Sequence, residues 1–382
     1  MNYIHIRILA VGGSLTAGAE CDENGKVLKL CAWPMRFADW FRTQYPHIRV
    51  NLFNHGFGGT PTQAAIPMIA HWPKADIVLL DYVVNDINDA VGNLAPVYLA
   101  FIDQFRQVQP DAALFYVNSC AIKHCSTIRN LIMWISASQG VPMLSFWDVI
   151  QCSAYLSQDH GKLEGEVWPK TTPTYFHAHP PWQTHALIAH TLSYVFFKNI
   201  VQTHANESYR LYDKSELTKF QTCAHPITHY SARGKTDNSA IQMDNLKWAL
   251  KEDRKGKPGW ISEAFGSSIK FPLTFGSHPA LTFSYLKSYE GLGKVQMLLN
   301  GVTYHLDGLY TKEELVNSGK VSQTHVQFFH LTKPVGERNP TTDAYWLGFG
   351  IAPHTSKTVE FRVVPEKDAV SSKFKIISIS SC

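Results

Sequence analysis

The stretch Ile8-Leu9-Ala10-Val11-Gly12-Gly13-Ser14-Leu15-Thr16-Ala17-Gly18 decides how this chain is read. An apolar run stops at two glycines, and a serine follows at once. In an α/β protein this geometry holds a serine hydroxyl at the carboxyl edge of a sheet, where a substrate can reach it. The strand-to-helix turn also offers unpaired backbone N–H groups to a developing negative charge. Alone the signal is weak, because Gly-Gly-Ser also serves as a plain corner. Its weight comes from its surroundings.

Outward from this turn, apolar runs alternate with helical patterns. Residues 4–12 read as the first strand, 34–45 as a helix with Pro34 near its start, and 47–53 as a second strand. A short helix is expected at 62–71, a buried strand at 75–84, a helix at 94–108 and a strand at 112–118. Residues 126–139 read as helix, 141–147 as the last strand and 182–201 as the last helix. Such alternation implies parallel pairing with helices on both faces, and a site at the carboxyl ends of the strands. After Thr203 the pattern dissolves. Residues 204–258 read as a linker, or as an excursion packed on the first domain, with one helix expected at 239–252. Beyond Gly259 the period changes. Short runs at 269–275, 281–286, 294–299, 321–329, 345–351, 358–364 and 373–379 read as strands of a β-sandwich or jelly roll. The expected organisation is an α/β domain over 1–203, the linker or excursion over 204–258, and a β domain over 259–382. The β domain's role is read first as structural, with glycan binding as the alternative by fold-level analogy.

Composition narrows the function classes. A chain of 382 residues is comfortable for two domains, and 45% hydrophobic with 17% charged residues is ordinary for a globular protein. The formal charge of +4 is modest and no dense Lys/Arg block is present, which argues against a nucleic-acid partner. No run of about 18 apolar residues suggests a membrane span. The opening residues read as a core strand and not as a signal peptide, which points to a cytosolic product, or to a secreted one whose leader has been removed. Seven cysteines leave at least one thiol unpaired within the chain. Cys21 with Cys31, and Cys120 with Cys125, are near enough in sequence to bridge in an oxidising compartment, and reduced thiols are an equal alternative. Asn206-Glu207-Ser208 is the one glycosylation sequon. Ten Trp and sixteen Tyr suit large cores and also carbohydrate sites.

Three further segments fall where such a sheet would place a site. Asn54-His55-Gly56-Phe57-Gly58-Gly59 follows the second strand, and its glycines let the backbone approach a ligand. Asp81 to Asp89 ends the third strand, where Asn85 can aim an amide donor at an oxyanion. His177-Ala178-His179-Pro180-Pro181 precedes the last helix and puts a histidine at a rigid corner. The histidines 177, 179, 185 and 190 suit zinc chemically, but no carboxylate or cysteine stands beside them at a recognisable spacing, so neither metal nor cofactor is expected.

On these four blocks the chain resembles the SGNH (GDSL-type) hydrolase superfamily, over about residues 4–202. The resemblance implies a flavodoxin-like three-layer α/β/α fold and hydrolysis of esters, often acyl groups on carbohydrates or lipids. Ser14 matches the nucleophile, with Gly13 where aspartate is usual. Gly59, five residues after Asn54, matches the oxyanion glycine. Asn85, paired with Asp86, matches the oxyanion amide, and His179, followed by Pro180, matches the histidine. Phe176 occupies the place of the aspartate that would orient the imidazole. Three outcomes stand open for His179. A backbone carbonyl or polar neighbour holds it in a Ser-His dyad, or Asp148 or another carboxylate arrives from elsewhere, or the domain binds without turnover. The expected activity is a serine esterase acting on O-acetyl esters, with an ester-bearing small molecule or glycan as partner. An O-acyltransferase with the same site and a non-catalytic glycan-binding protein are the alternatives.

Overall fold

The structure, a computed structural model, describes residues 4–23, 26–27, 31–86, 94–120, 126–150, 170–172, 175–176, 179–202, 223, 226–233, 236–244, 247–254, 256–311, 322–331, 349–365 and 372–382. The chain forms two compact units, one of Met1–Thr62 with Trp72–Glu216, the other of Gln63–His71 with Leu217–Cys382.

The first unit opens with β1 (Ile4–Gly12) and the helical turn α1 (Ser14–Ala17). A two-residue hairpin, β2 (Asp22–Glu23) and β3 (Lys26–Val27), precedes α2 (Trp33–Gln44) and β4 (Ile48–Gly56). Past the turn α3 (Thr62–Ala65), whose residues from Gln63 on belong to the second unit, come β5 (Ile77–Asp81), the turn α4 (Val83–Asp86), α5 (Ala95–Val108), β6 (Ala113–Asn118), α6 (Ser126–Gln139) and β7 (Met143–Ser145). A second hairpin, β8 (Lys170–Thr172) and β9 (Tyr175–Phe176), precedes α7 (Trp182–Gln202). The main sheet runs β4-β1-β5-β6-β7, every pair parallel, so its strands stand in the flavodoxin-like order 2-1-3-4-5. Both faces are covered, as buried parallel sheets require. Ile8 and Ala10 of β1 share one core with Trp33 and Phe37 of α2 and with Ile188, Leu192 and Phe196 of α7. On the other face Tyr116 of β6 meets Tyr98 of α5 edge-on at 6.1 Å.

Three expectations change in detail. The helix expected at 62–71 breaks into α3 and a 3₁₀ turn over Ile66–His71, because Pro67 has no N–H to continue an α-helical ladder. The strand expected at 75–84 stops at Asp81, so Asn85 rides on a helical turn beyond the strand. The last strand is short, and residues 146–150 are already helical.

The second unit is an antiparallel β-sandwich. Its strands are β10 (Thr228–Ser231), β11 (Gln242–Met243), β12 (Ala249–Glu252), β13 (Pro258–Ser262), β14 (Ser268–Thr274), β15 (Ala280–Lys287), β16 (Lys294–Leu299), β17 (Val302–Asp307), β18 (Gln323–His330), β19 (Ser356–Val363) and β20 (Phe374–Ser381). One sheet is ordered β12-β13-β20-β15-β18 with β10 also on β20, the other β11-β14-β19-β16-β17. Alternate residues of both sheets meet in one aromatic-rich core: Trp260 packs on Phe271 at 5.2 Å and Phe283 on Phe361 at 5.2 Å. Residues 239–252 hold two short strands where a helix was expected. Pairing of β11 with β14 and of β12 with β13 outweighs local propensity there. The described part of 204–258 from Thr228 on thus supplies strands to the sandwich. Of the strand expected at 345–351, residues 345–348 lie outside the described set. Phe349 and Ile351 are buried in the core without strand pairing.

Disulfides join Cys21 to Cys31 in the first unit and Cys223 to Cys382 in the second, and Cys120 is also disulfide-bonded. Among the described residues no helix is long and apolar enough to cross a membrane.

Candidate active site

The parallel sheet sets the site's position. At the carboxyl end of β1, Gly12 lies in register with Gly56 of β4 on one side and Asp81 of β5 on the other. The chain leaves β1 through Gly13, whose N–H donates to the Asp81 carbonyl at 3.0 Å, and enters α1 at Ser14. Ser14 is 8% exposed, at the bottom of the turn and still open to solvent.

Glycine at position 13 has a local explanation. A Cβ there would lie 1.9 Å from Asn85 Nδ2, so the Asn85 amide fills the space any side chain at position 13 would need. Asn85 is buried, and its Nδ2 has no hydrogen-bond partner among the described residues. A buried amide left unpaired costs about 1–3 kcal/mol in a resting fold. Here it stands beside the residue that precedes the serine, as a donor awaiting an acceptor.

Buried carboxylates hold these pieces. Asp81 accepts from Thr16 Oγ1 of α1 at 3.0 Å and from Ser119 Oγ at 2.8 Å, tying the serine turn to β5 and to the end of β6. Asp86 accepts from the Thr62 N–H and Oγ1, both at 2.7 Å, and from the Tyr98 hydroxyl at 2.6 Å, so it fixes the loop carrying Gly59 against α4 and α5. Burial pushes both carboxyls up to about 6, against the opposing pull of those hydrogen bonds. Asn54 clamps the other side: its Nδ2 donates to the Thr16 carbonyl at 2.8 Å and its Oδ1 accepts from the Gly56 N–H at 3.0 Å. Phe57 N–H donates to the Gly12 carbonyl at 2.8 Å. The loop then turns at Gly59, which is buried with φ of 71°, a conformation glycine adopts without steric cost.

His179 precedes Pro180 and Pro181, and α7 starts at Trp182. Its Nδ1 lies 3.1 Å from Glu20 Oε1, within ion-pair range, but the alignment falls short of a hydrogen bond. Glu20 belongs to the turn just after α1, where the Ala19 N–H donates to the Ser14 carbonyl at 2.9 Å. The histidine is thereby brought onto the turn that follows the serine. His185, one turn into α7, is fully buried and accepts the Trp33 N–H at Nδ1, 3.3 Å. Burial, with Arg36 and His179 nearby, pulls it down to about 4, so it is neutral at pH 7. Asp148, a candidate for orienting the imidazole, is engaged elsewhere: its carboxylate takes Arg129 Nε at 2.8 Å and Nη2 at 2.5 Å, an ion pair between α6 and the segment after β7. The carboxylate facing His179 is Glu20. Phe176 is the last residue of β9, while His177 lies outside the described residues, as do Asn88 and Asp89.

The structure therefore joins Gly13 with Asn85, and His179 with the Ser14–Glu20 turn, and excludes Asp148 from the imidazole. Sequence reading missed Glu20 altogether. It also missed that Asp81 and Asp86 are the buried clamps, although both stand in the segment it singled out.

No protein-family model matches the chain, and no curated protein sequence is significantly similar to it. Among solved structures, a two-domain esterase (CEX) active on acetylated mannans superposes with a TM-score of 0.67 at 17% identity, over 99% of this chain and 92% of that one. A second structure of such an esterase, co-crystallized with mannopentaose, gives a TM-score of 0.64 at 15% identity, over 99% and 90%. The chain thus has the fold of these two-domain esterase structures, an α/β unit followed by a β-sandwich.

Proposed function

We propose that this chain is a serine ester hydrolase that removes O-acyl groups, foremost acetyl, from carbohydrate. The observation that carries the reading is the buried, unpartnered Asn85 Nδ2 packed against Gly13, next to Ser14. Such a donor costs the fold stability, and a tetrahedral oxyanion beside Ser14 would give it a partner.

In this reading His179 takes the Ser14 Oγ proton as Oγ bonds to the acyl carbon. The carbonyl π pair moves onto oxygen, which accepts from Asn85 Nδ2, the Gly59 N–H and the Ser14 N–H. Collapse expels the alcohol oxygen, which receives the proton held by His179. Water then attacks the acyl-serine with the same proton path and releases the carboxylic acid. One oxyanion donor contributes about 3 kcal/mol in such a transition state. Acetylated mannan is the first polymer to assay, given the relative's described activity.

The test is turnover of 4-nitrophenyl acetate and acetate release from acetylated mannan by the parent, Ser14→Ala and His179→Ala proteins, with fluorophosphonate labelling of Ser14. Loss of turnover in both variants and labelling of the parent support the reading. Undiminished turnover in Ser14→Ala overturns it. Mannan binding without labelling or turnover would favour a non-catalytic glycan-binding protein.

A further inference from the structure

We infer that Glu20 is the positioning residue for His179, replacing the aspartate that Phe176 displaces. The inference rests on the esterase reading and deepens it. Its first support is contact: Glu20 Oε1 is 3.1 Å from His179 Nδ1, and among the described residues no other carboxylate pairs with that ring. A carboxylate at Nδ1 favours the tautomer with the proton on Nδ1, leaving the Nε2 lone pair to take the serine proton.

The second support is backbone conformation. Glu20 sits at φ of 57°, in the left-handed region, in the turn closed by the Cys21 N–H on the Gly18 carbonyl at 3.3 Å. Glycine or asparagine suits such a position, and a glutamate there is uncommon. The conformation does nothing for the turn that glycine would not do better, but it places a carboxylate six residues after the nucleophile.

The third support is the bracing around the pair. Cys21, the next residue, is buried and bonded to Cys31. The Cys31 carbonyl accepts Arg36 Nε at 2.7 Å, and the Arg36 guanidinium stands 5.4 Å from the ring centroid of Trp182, the first residue of α7 and three beyond His179. Arg36 thus links the strand of chain carrying Glu20 to the helix start carrying His179. Of the charged and titratable groups described near the imidazole, Glu20 comes from the turn and His185 from α7, with Arg36 of α2 acting on His185. Glu20 is the anionic one of the three.

The experiment compares Glu20→Gln, Glu20→Gly and Glu20→Asp with the parent and with Ser14→Ala, reading kcat and KM on 4-nitrophenyl acetate from pH 5 to 9 and Tm in parallel. Glu20→Gln is expected to lower kcat about 10–100-fold with KM little changed. Glu20→Gly is expected to lose a similar factor while keeping or raising Tm, which separates positioning from folding. Glu20→Asp should recover part of the rate. Parent-like kcat in Glu20→Gln, with Ser14→Ala inactive, overturns the Glu20 assignment alone. An active Ser14→Ala overturns the esterase reading and this assignment with it. A drop in Tm that accounts for the rate loss in both Glu20→Gln and Glu20→Gly assigns Glu20 to the fold instead.

Discussion

The two units treat buried polar groups in opposite ways. In the α/β unit they converge on one edge of the sheet: Ser14, Thr16, Asp81, Asn85, Asp86 and Ser119 are all buried within the first residues beyond β1, β5 and β6, or at those strand ends. The β-sandwich spreads its own out as local pairs, such as Ser284 with Ser378 at 2.6 Å, Ser262 with Ser267 at 2.7 Å, and Lys375 with Asp253 and the Lys257 carbonyl. A parallel sheet sends every strand end to one side, so polar side chains there gather without further design. An antiparallel sandwich distributes its ends over both edges and uses each polar pair to staple neighbouring strands. Convergence beside an unpaired amide is what the proposed reaction site needs, and dispersed pairing suits a scaffold.

The largest expected effect tests that distinction directly. Ser14→Ala should lower kcat by about 10⁴-fold or more on an aryl acetate without moving the melting temperature, since its hydroxyl would serve the reaction and not the fold. Next come Asn85→Ala and Gly13→Ala. The first removes the donor, and the second drives a Cβ into it; each should cost about 10²–10³-fold in kcat, measured by steady-state turnover. If Asn85→Ala instead lowers stability and leaves kcat intact, its amide belongs to the scaffold and the contrast between the units collapses.

Acidification should separate the units by stability. His229 in the sandwich is pulled down to about 4 by burial and by His71, whose ring stacks on it at 5.6 Å. Its native state therefore binds fewer protons than the unfolded chain between pH 4 and 6.5, so stability present above 6.5 is lost on going down to 4, by about 3 kcal/mol. His185 acts in the same sense in the α/β unit. There Asp81 and Asp86, raised to about 6, act oppositely: they bind protons in the native state first, and each restores about 3 kcal/mol as pH falls from 6 to 4. Hydrogen exchange resolved by peptide should show the sandwich loosening first, and His229→Asn should flatten its response. A smaller effect is expected from Lys375→Ala. It removes a buried cation that Asp253 shares with Lys373, and should destabilise the sandwich by about 2 kcal/mol with unchanged kcat.

Most of the α/β order was legible because helix and strand periods differ and the central strands are apolar where they are buried. Ile8 to Val11 is buried on both faces and ends in glycine, which leaves few alternatives. Ser14, Gly59 and Asn85 were legible because each sits immediately after a strand, so local sequence reports their place. The breakdown of residues 239–252 into strands was not legible. It depends on pairing with β14 from farther along the chain and on a hairpin with β13, and a helical reading of the local residues shows neither. Nor was the end of β5, where a helical turn carries Asn85 back over Gly13.

By itself, then, the sequence determined the strand-turn-serine unit and the order of the parallel sheet, because these follow from hydrophobic period and from where glycine interrupts it. It could not determine which carboxylate meets His179. Asp148, the candidate nearest a strand end, pairs with Arg129, while Glu20 reaches the imidazole from a left-handed turn beside the Cys21–Cys31 bridge. Nor could it say why Gly13 replaces aspartate. Both answers depend on which side chains share a volume of a few cubic ångströms, and only the packing of distant segments decides that.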